Sequence, residues 1–272
     1  MKELSIDEIK EIELQILDYI DSVCKENNLH YYLSGGTLLG AIRHKGFIPW
    51  DDDIDINMPR KDYEKLLLII NESDNKYKAL SYKYETDYYY PFAKIIDSST
   101  MVTENNTVKS SKMGIWVDIF PIDNLPNDTK LRKRIQEKCW VYRQIWGHAL
   151  VWKGHLSNRG LVYKIGCLIC YLYGWKRSIK QLERVATLIH EETKYVGKLI
   201  DCNHKYDTML ADWFSPSVDK TFEGRMCPVP NGYDEYLTLA YGDYMKLPPE
   251  DKRVSGHSFV AYRKDDEAAF NI

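Results

Sequence analysis

Nowhere in its 272 residues does the chain contain about 18 consecutive uncharged apolar residues, the length that a bilayer-spanning helix requires. Its opening Met1-Lys2-Glu3 runs straight into a polar helical pattern without the apolar stretch of a signal peptide, so residence in the cytosol is expected. Cysteine is too sparse for a disulfide scaffold. Six residues (Cys24, Cys139, Cys167, Cys170, Cys202, Cys227) are scattered along the chain, and reduced thiols are expected. Cys167 and Cys170 have redox or zinc spacing, but they lie in the apolar stretch 161–175 and no second Cys or His pair matches them. They read as small buried hydrophobes. His204 after Cys202 lacks zinc spacing as well. Internal repeats, low-complexity linkers and recognised DNA- or RNA-binding motifs are missing, which speaks against a nucleic-acid partner.

Net charge is also small, but it is unevenly spread. Between Lys130 and Lys180 twelve Lys or Arg face one acid, Glu137, so this segment carries +11 and the remainder −14 of a total of −3. The same segment holds four of the seven tryptophans (Trp140, Trp146, Trp152, Trp175) and the apolar run from Leu161 to Trp175. Two readings stay open: a basic, aromatic segment lying on an anionic membrane, or a helical subdomain packed on the rest of the fold.

What is plentiful is apolar and aromatic content. At 44% and 13%, with 21 Tyr, the composition is that of a packed protein with one large domain or one domain plus an elaboration. Ser5 to Glu8 form a capping box, and Ile6, Ile9, Ile12, Ile16, Leu17, Ile20 and Val23 make an apolar stripe, predicting a helix to about Glu26. His30 to Leu33 then lead as a strand into Gly35-Gly36. Paired glycines let backbone N–H groups approach a phosphate, and the following helix over Thr37-Leu38-Leu39 aims its positive end at the same place.

After a loop through His44 and Pro49, four aspartates occupy five positions: Asp51, Asp52, Asp53 and Asp55. Such a group repels itself, so a fold keeps it where a cation or a chemical task offsets the cost. An extended segment would present Asp51, Asp53 and Asp55 on one face, with Ile54 and Ile56 toward the core. Carboxylates without neighbouring His or Cys favour Mg²⁺ or Mn²⁺ over zinc, and Mg²⁺ sites commonly combine carboxylates with substrate phosphates. A solvated acidic turn is the bland alternative. A calcium loop starting at Asp51 fails at its sixth position, Ile56 instead of Gly, and at its twelfth, Asp62 instead of Glu.

Farther on, Tyr63, Leu66, Leu67 and Ile70 predict a helix after Pro59, with Asp62 at the surface. Strands are expected at 82–85 and at 92–102, the second carrying Lys94, a candidate for holding a phosphate oxygen or simply a surface lysine. In Gly114-Ile115-Trp116-Val117-Asp118-Ile119-Phe120-Pro121, a lone acid interrupts an apolar strand, which is costly without a partner. Asp118 is therefore expected to join Asp53 and Asp55; capping a turn before Pro121 is its other reading. A further helix is predicted over 178–198.

A glycine turn followed by a two-carboxylate strand resembles the nucleotidyltransferase superfamily. More narrowly, Gly36-Thr37-Leu38-Leu39-Gly40 with His44-Lys45-Gly46-Phe47-Ile48-Pro49-Trp50-Asp51-Asp52-Asp53-Ile54-Asp55 resembles the LicD and fukutin-related phosphotransferases. So does the tail, through Phe222-Glu223-Gly224-Arg225, Gly232 to Leu237, Tyr241 to Met245 and Leu247-Pro248-Pro249. The resemblance implies an α+β fold with a nucleotidyltransferase-like mixed sheet flanked by helices: a catalytic core over 1–129, a helical basic and aromatic-rich subdomain over 130–200, and a C-terminal part over 201–272 packing back on the core. It implies Asp53 and Asp55 as ligands of Mg²⁺ or Mn²⁺, with Asp51 assisting, and agrees with Asp118 as a later acid.

Bacterial members typically move phosphocholine from CDP-choline to a hydroxyl of a cell-surface glycan or its precursor. Gly35, Gly36, Thr37, Lys94, Arg253 and His257 are then candidate substrate contacts, and the aromatic faces of Tyr88-Tyr89-Tyr90 are candidates for a quaternary ammonium. A nucleotidyltransferase moving NMP, or a noncatalytic metal- or membrane-surface adaptor, are the rival classes.

Overall fold

A computed structural model describes residues 2–104, 112–151, 159–201, 208–253 and 259–264. Trp152, Cys202, His204 and His257 lie outside the described residues. In chain order the elements are β1 (Lys2–Glu3), α1 (Ile6–Asn27), β2 (Tyr32–Leu33), α2 (Gly35–Arg43), β3 (Asp55–Pro59), α3 (Arg60–Glu72), β4 (Tyr77–Leu80), β5 (Ala93–Asp97), β6 (Thr100–Glu104) and β7 (Ile115–Leu125). They continue with α4 (Thr129–Val151), α5 (Leu161–Tyr173), α6 (Trp175–Ala186), β8 (Tyr195–Gly197), β9 (Met209–Leu210), β10 (Val218–Phe222), β11 (Arg225–Val229), α7 (Tyr233–Tyr241) and β12 (Phe259–Arg263). The fold is α+β, built on a mixed seven-stranded sheet.

That sheet runs β2-β3-β7-β5-β4, with β8 and β9 added along the far part of β7. Only β3 and β7 are parallel; the other pairs are antiparallel. β7 is the spine. It is buried at nearly every position because β3 and β5 flank its first half, β8 takes its last residues, and α1 and α3 pack against it. The period of two along β7 puts Trp116, Asp118 and Phe120 on one face and Val117 and Ile119 on the other.

α1 begins at the predicted capping box: Ser5 Oγ accepts from Glu8 N–H, and the Glu8 carboxylate accepts from Ser5 N–H. Its apolar stripe from Ile9 onward enters the main core with Tyr63, Leu66, Leu67 and Ile70 of α3, whereas Ile6, expected in the stripe, lies on the first turn and is exposed. Asp62, expected at the surface, is half-buried and takes the His30 N–H at 2.8 Å. β10 and β11 form a hairpin whose tip residue Glu223 accepts from Phe47 N–H at 2.9 Å, fastening the loop ahead of the aspartates. A smaller second core joins Ile135 and Cys139 of α4, Leu182, Val185 and Ala186 of α6, Leu125, and Leu199 with Ile200.

Four boundaries differ from those expected. Asp51, Asp52 and Asp53 are in a loop, with Ile54, and the strand starts only at Asp55, because Asp51 N–H closes a turn on the Ile48 carbonyl at 2.8 Å. At 82–85 the chain turns: Tyr84 and Glu85 N–H groups both bond to Ser81 O, and the strand lies earlier, at Tyr77–Leu80, pinned by Asn71 to Ala79 N–H and C=O. The run 92–102 divides at Ser98-Ser99, where the Asp97 carboxylate takes both N–H and hydroxyl of Ser99, and β6 joins β1 and β12 in a separate sheet. The helix expected over 178–198 is α6, which stops at Ala186; Thr187 Oγ1 bonds back to Glu183 O, and 195–197 are recruited to the β7 edge.

Among the described residues no helix is long and apolar enough to cross a membrane. The described cysteines Cys24, Cys139, Cys167, Cys170 and Cys227 are free thiols; Cys167 is buried and Cys170 half-buried.

Candidate active site

Three adjacent strands lay a row of charges across the sheet. In register, Asp55 of β3 faces Asp118 of β7, and Asp118 faces Lys94 of β5. Asp53 enters from the loop just before β3, so that carboxylate oxygens of Asp53, Asp55 and Asp118 all lie within 4.8 Å of one another. Asp51, Asp52 and Asp53 make a second such group, with Asp53 common to both. Asp118 is 5% exposed and Asp53 9%. Burial, then the charges of Asp53 and Asp118, push the Asp55 carboxyl well above the usual carboxylate pKa. A set of hard oxygen donors at this spacing, crowded enough to resist ionising together, fits a small divalent cation of the Mg²⁺ or Mn²⁺ kind.

The glycine turn closes over the same atoms. Gly35 is the first residue of α2 and has φ +53°, a left-handed conformation that disfavours side chains. A Cβ at Gly35 would meet Asp55 Oδ2 at 2.7 Å, and one at Gly36 would run into Asp51 Oδ2. The start of α2 therefore lies directly against the carboxylates, with its unpaired N–H groups at hand for an anion. Thr37, 2% exposed, uses its hydroxyl to accept the Asp55 N–H at 2.8 Å. Its visible work is to hold the start of β3 against α2.

Lys94 faces inward. Its ammonium donates to Asp118 Oδ1 at 2.6 Å and Oδ2 at 3.0 Å, and Trp116 Nε1 donates to Asp118 Oδ2 at 3.2 Å. The rings of Trp116 and Tyr90 enclose the same ammonium at 4.1 and 4.8 Å from their centroids. Lys94 is thus engaged with a carboxylate inside the sheet, and Tyr90 already serves one cation. Tyr88 and Tyr89 are buried.

The C-terminal motif returns to the glycine turn. Tyr236 Oη on α7 shares a hydrogen bond with Ser34 Oγ at 3.0 Å and accepts from Asn57 Nδ2 at 3.2 Å. The glycine-turn motif and the C-terminal motif thereby meet at one site.

Sequence comparison agrees with this geometry. Residues 28–148 match the family described as LicD/FKTN/FKRP, nucleotidyltransferase domain. The lipopolysaccharide cholinephosphotransferase LicD of Haemophilus influenzae is 32% identical over 96% of this chain and 99% of its own length. The chain belongs to the LicD family. The human ribitol 5-phosphate transferase FKRP shares 43% identity over 44 residues, 16% of this chain and 9% of its own. An uncharacterized protein of Rickettsia prowazekii is 36% identical over 69 residues, 25% of this chain and 26% of its own.

Motif reasoning missed charged residues that act on these carboxylates from other elements of this LicD-family chain. Lys198, just after β8, has 14% of its side chain exposed and stands 3.7 Å from Asp201 and 5.0 Å from the Phe120 ring centroid. Burial opposes its charge, but Tyr236, Asp201 and Asp55 more than offset this and hold its pKa above the ordinary lysine value. Arg143 of α4 reaches Asp201 at 3.4 Å, so the helical elaboration connects to the site through Asp201 and Lys198. Glu13 of α1 is 1% exposed, and its Oε2 has no hydrogen-bond partner among the described residues. Burial first, then Asp53 and Asp52, raise its pKa well above the carboxylate range. Both residues left a trace in the sequence: Glu13 sits within the apolar stripe four positions from Ile9 and Leu17, and Lys198 interrupts the run Val196 to Ile200.

Arg253 meets Trp50, the residue just before Asp51. Its guanidinium carbon is 5.6 Å over the Trp50 ring and its Nε donates to the Pro248 carbonyl at 2.9 Å, so it bears on the acidic loop through Trp50.

Proposed function

We propose that the chain transfers phosphocholine from CDP-choline to a hydroxyl of a cell-surface glycan or teichoic-acid-type precursor, releasing CMP, and that it works from the cytoplasmic side of the membrane. It is a phosphotransferase of its family. The observation that carries the proposal is the convergence of Asp53, Asp55 and Asp118 beside the Gly35-Gly36 turn, a place for a diphosphate between carboxylates and helix N-terminus. Near full-length similarity to an enzyme named for cholinephosphate transfer to lipopolysaccharide favours phosphocholine; similarity to the ribitol 5-phosphate enzyme covers only 16% of the chain.

Asp53, Asp55 and Asp118 are proposed to hold Mg²⁺ or Mn²⁺, which when bound supplies positive charge for the donor's phosphoryl oxygens. The acceptor oxygen forms its bond to the phosphocholine phosphorus as the bond from that phosphorus to the CMP oxygen breaks, and CMP takes the electron pair. Backbone N–H groups at Gly35-Gly36 and the Lys198 ammonium offset the charge of the donor diphosphate. Both Asp118 oxygens already accept from Lys94 and Trp116, so Asp51 is assigned the acceptor's proton. Lys94 is a positioning residue.

Incubating the protein and Mg²⁺ with CDP-choline, CDP-ribitol and CDP-glycerol in turn, with a glycan acceptor, tests this by CMP formation. CMP from CDP-choline together with choline-bearing glycan is expected. Pyrophosphate from a nucleoside triphosphate instead would make the chain a nucleotidyltransferase, and metal binding without turnover of any CDP-alcohol would make it an adaptor.

A further inference from the structure

α5 is oriented against the usual rule. Leu161, Val162, Ile165, Leu168, Ile169 and Leu172 recur at three- and four-residue spacing along one side of this 13-residue helix and are between 36% and 86% exposed. Cys167 is its only buried residue. A surface helix of a globular domain turns such a stripe into the core and its polar side outward. The neighbours do this in part: Ile135 and Cys139 of α4 and Leu182, Val185 and Ala186 of α6 are buried together with Leu125, forming the second core without α5. A contiguous apolar stripe left in solvent marks a contact surface.

The surroundings of the stripe specify the partner. Arg159 precedes α5, Lys164 lies on it, and Lys176, Arg177 and Lys180 follow it on the first turns of α6, all exposed except the half-buried Lys164. No acidic residue occurs between Glu137 and Glu183. Tyr173 at the end of α5 and Trp175 at the start of α6, both half-buried, have the apolar body and polar tip suited to a headgroup layer. At 1.5 Å per residue α5 is about 20 Å long, too short to cross a hydrocarbon core of about 30 Å and long enough to lie along its surface. A second copy of this chain would bring an equally basic segment against this one, whereas an anionic bilayer offers apolar depth and opposite charge together.

We infer that α5 is an interfacial membrane anchor, seating its Val162–Ile165–Ile169–Leu172 stripe in the acyl boundary of an anionic leaflet while the flanking lysines and arginines meet the lipid phosphates. This deepens the proposed work at a membrane on a glycan precursor, and its test does not depend on turnover.

The full-length protein is floated with vesicles of phosphatidylcholine alone and with vesicles containing about one third phosphatidylglycerol, a leaflet of clearly negative surface potential. It is expected to float with the anionic vesicles, to stay behind with the neutral ones, and to be released as salt is raised to about 0.5 M, where surface charges are screened. The triple variant Ile165→Glu, Ile169→Glu, Leu172→Glu alters only exposed side chains. It should lose vesicle affinity about tenfold or more while keeping the wild-type melting temperature and the CMP release seen with a water-soluble acceptor. The rim variant Lys176→Glu, Arg177→Glu, Lys180→Glu provides a second arm and should weaken binding likewise.

Vesicle binding by both variants equal to wild type overturns the inference, as does failure of the wild type to bind anionic vesicles. A dimer seen by light scattering without vesicles and dissociated by the triple variant would reassign the stripe to self-association, and so overturn it too. Vesicle binding by a chain that releases CMP from no CDP-alcohol would support the anchor and refute the enzymatic proposal.

Discussion

Asp55 and Asp118 stand opposite each other in register on the parallel pair β3 and β7, and Asp118 in turn stands opposite Lys94 on β5. Within this row the charges are distributed unequally. Lys94 and Trp116 satisfy Asp118, whereas Asp55 shares its surroundings with Asp53 and has its pKa raised by burial and by that neighbour.

Asp55→Asn should therefore abolish transfer, by about a hundredfold or more, without unfolding the protein, because it removes a repulsive charge at the same shape. Its melting temperature should equal or exceed wild type without metal. Mg²⁺ should raise the melting temperature of wild type and leave that of the variant unchanged. A variant that fails to fold would point instead to a structural carboxylate.

Lys94→Met should behave in the opposite way. It strands the buried Asp118 carboxylate, a loss of about 3–5 kcal/mol typical of a broken buried pair. Adding Asp118→Asn should return much of that stability, since neither charge remains, but not the activity. Urea denaturation of the two single variants and the double variant supplies the coupling energy.

Lys198→Met tests the cation that the motifs did not reveal. Its predicted signature is a donor KM raised about tenfold, because a ground-state contact to the diphosphate is lost. An unchanged KM for CDP-choline would confine Lys198 to its pair with Asp201.

Glu13→Gln addresses the buried carboxyl behind Asp52 and Asp53. Its folded pKa is raised above the ordinary value of 4.5, so it holds its proton more tightly folded than unfolded. The stability it contributes is complete below the unfolded pKa and is lost as pH climbs through the folded one. Wild type should thus lose stability relative to Glu13→Gln as pH rises above the ordinary value of 4.5, by at most about 1.4 kcal/mol per pH unit. Parallel pH curves of melting temperature for the two proteins would refute this.

Local signals were the legible ones. The Ser5–Glu8 box, the α1 and α3 stripes, the glycine turn and the cost of an acid within Trp116 to Phe120 are each set by residues near in sequence, and each appears in the structure. Strand limits were less legible. Asp97, Ser81 and Thr187 end or delay elements through side-chain bonds to nearby backbone, and those bonds compete with ladders that pattern alone favours.

By itself the sequence determined the acidic loop beside a glycine turn and the basic segment, because charge and motif spacing are written residue by residue, and the motifs carried the family resemblance that implied the α+β class. Tertiary structure decided the rest. The β3–β7 register makes Asp55 and Asp118 neighbours, Lys94 turns inward to Asp118, Lys198 and Glu13 arrive from remote elements, and the α5 stripe faces solvent while Ile135 and Cys139 of α4 and Leu182 and Val185 of α6 are buried. Each of these depends on which faces of distant elements pack together, and periodicity shows that a helix has an apolar side without showing what lies against it.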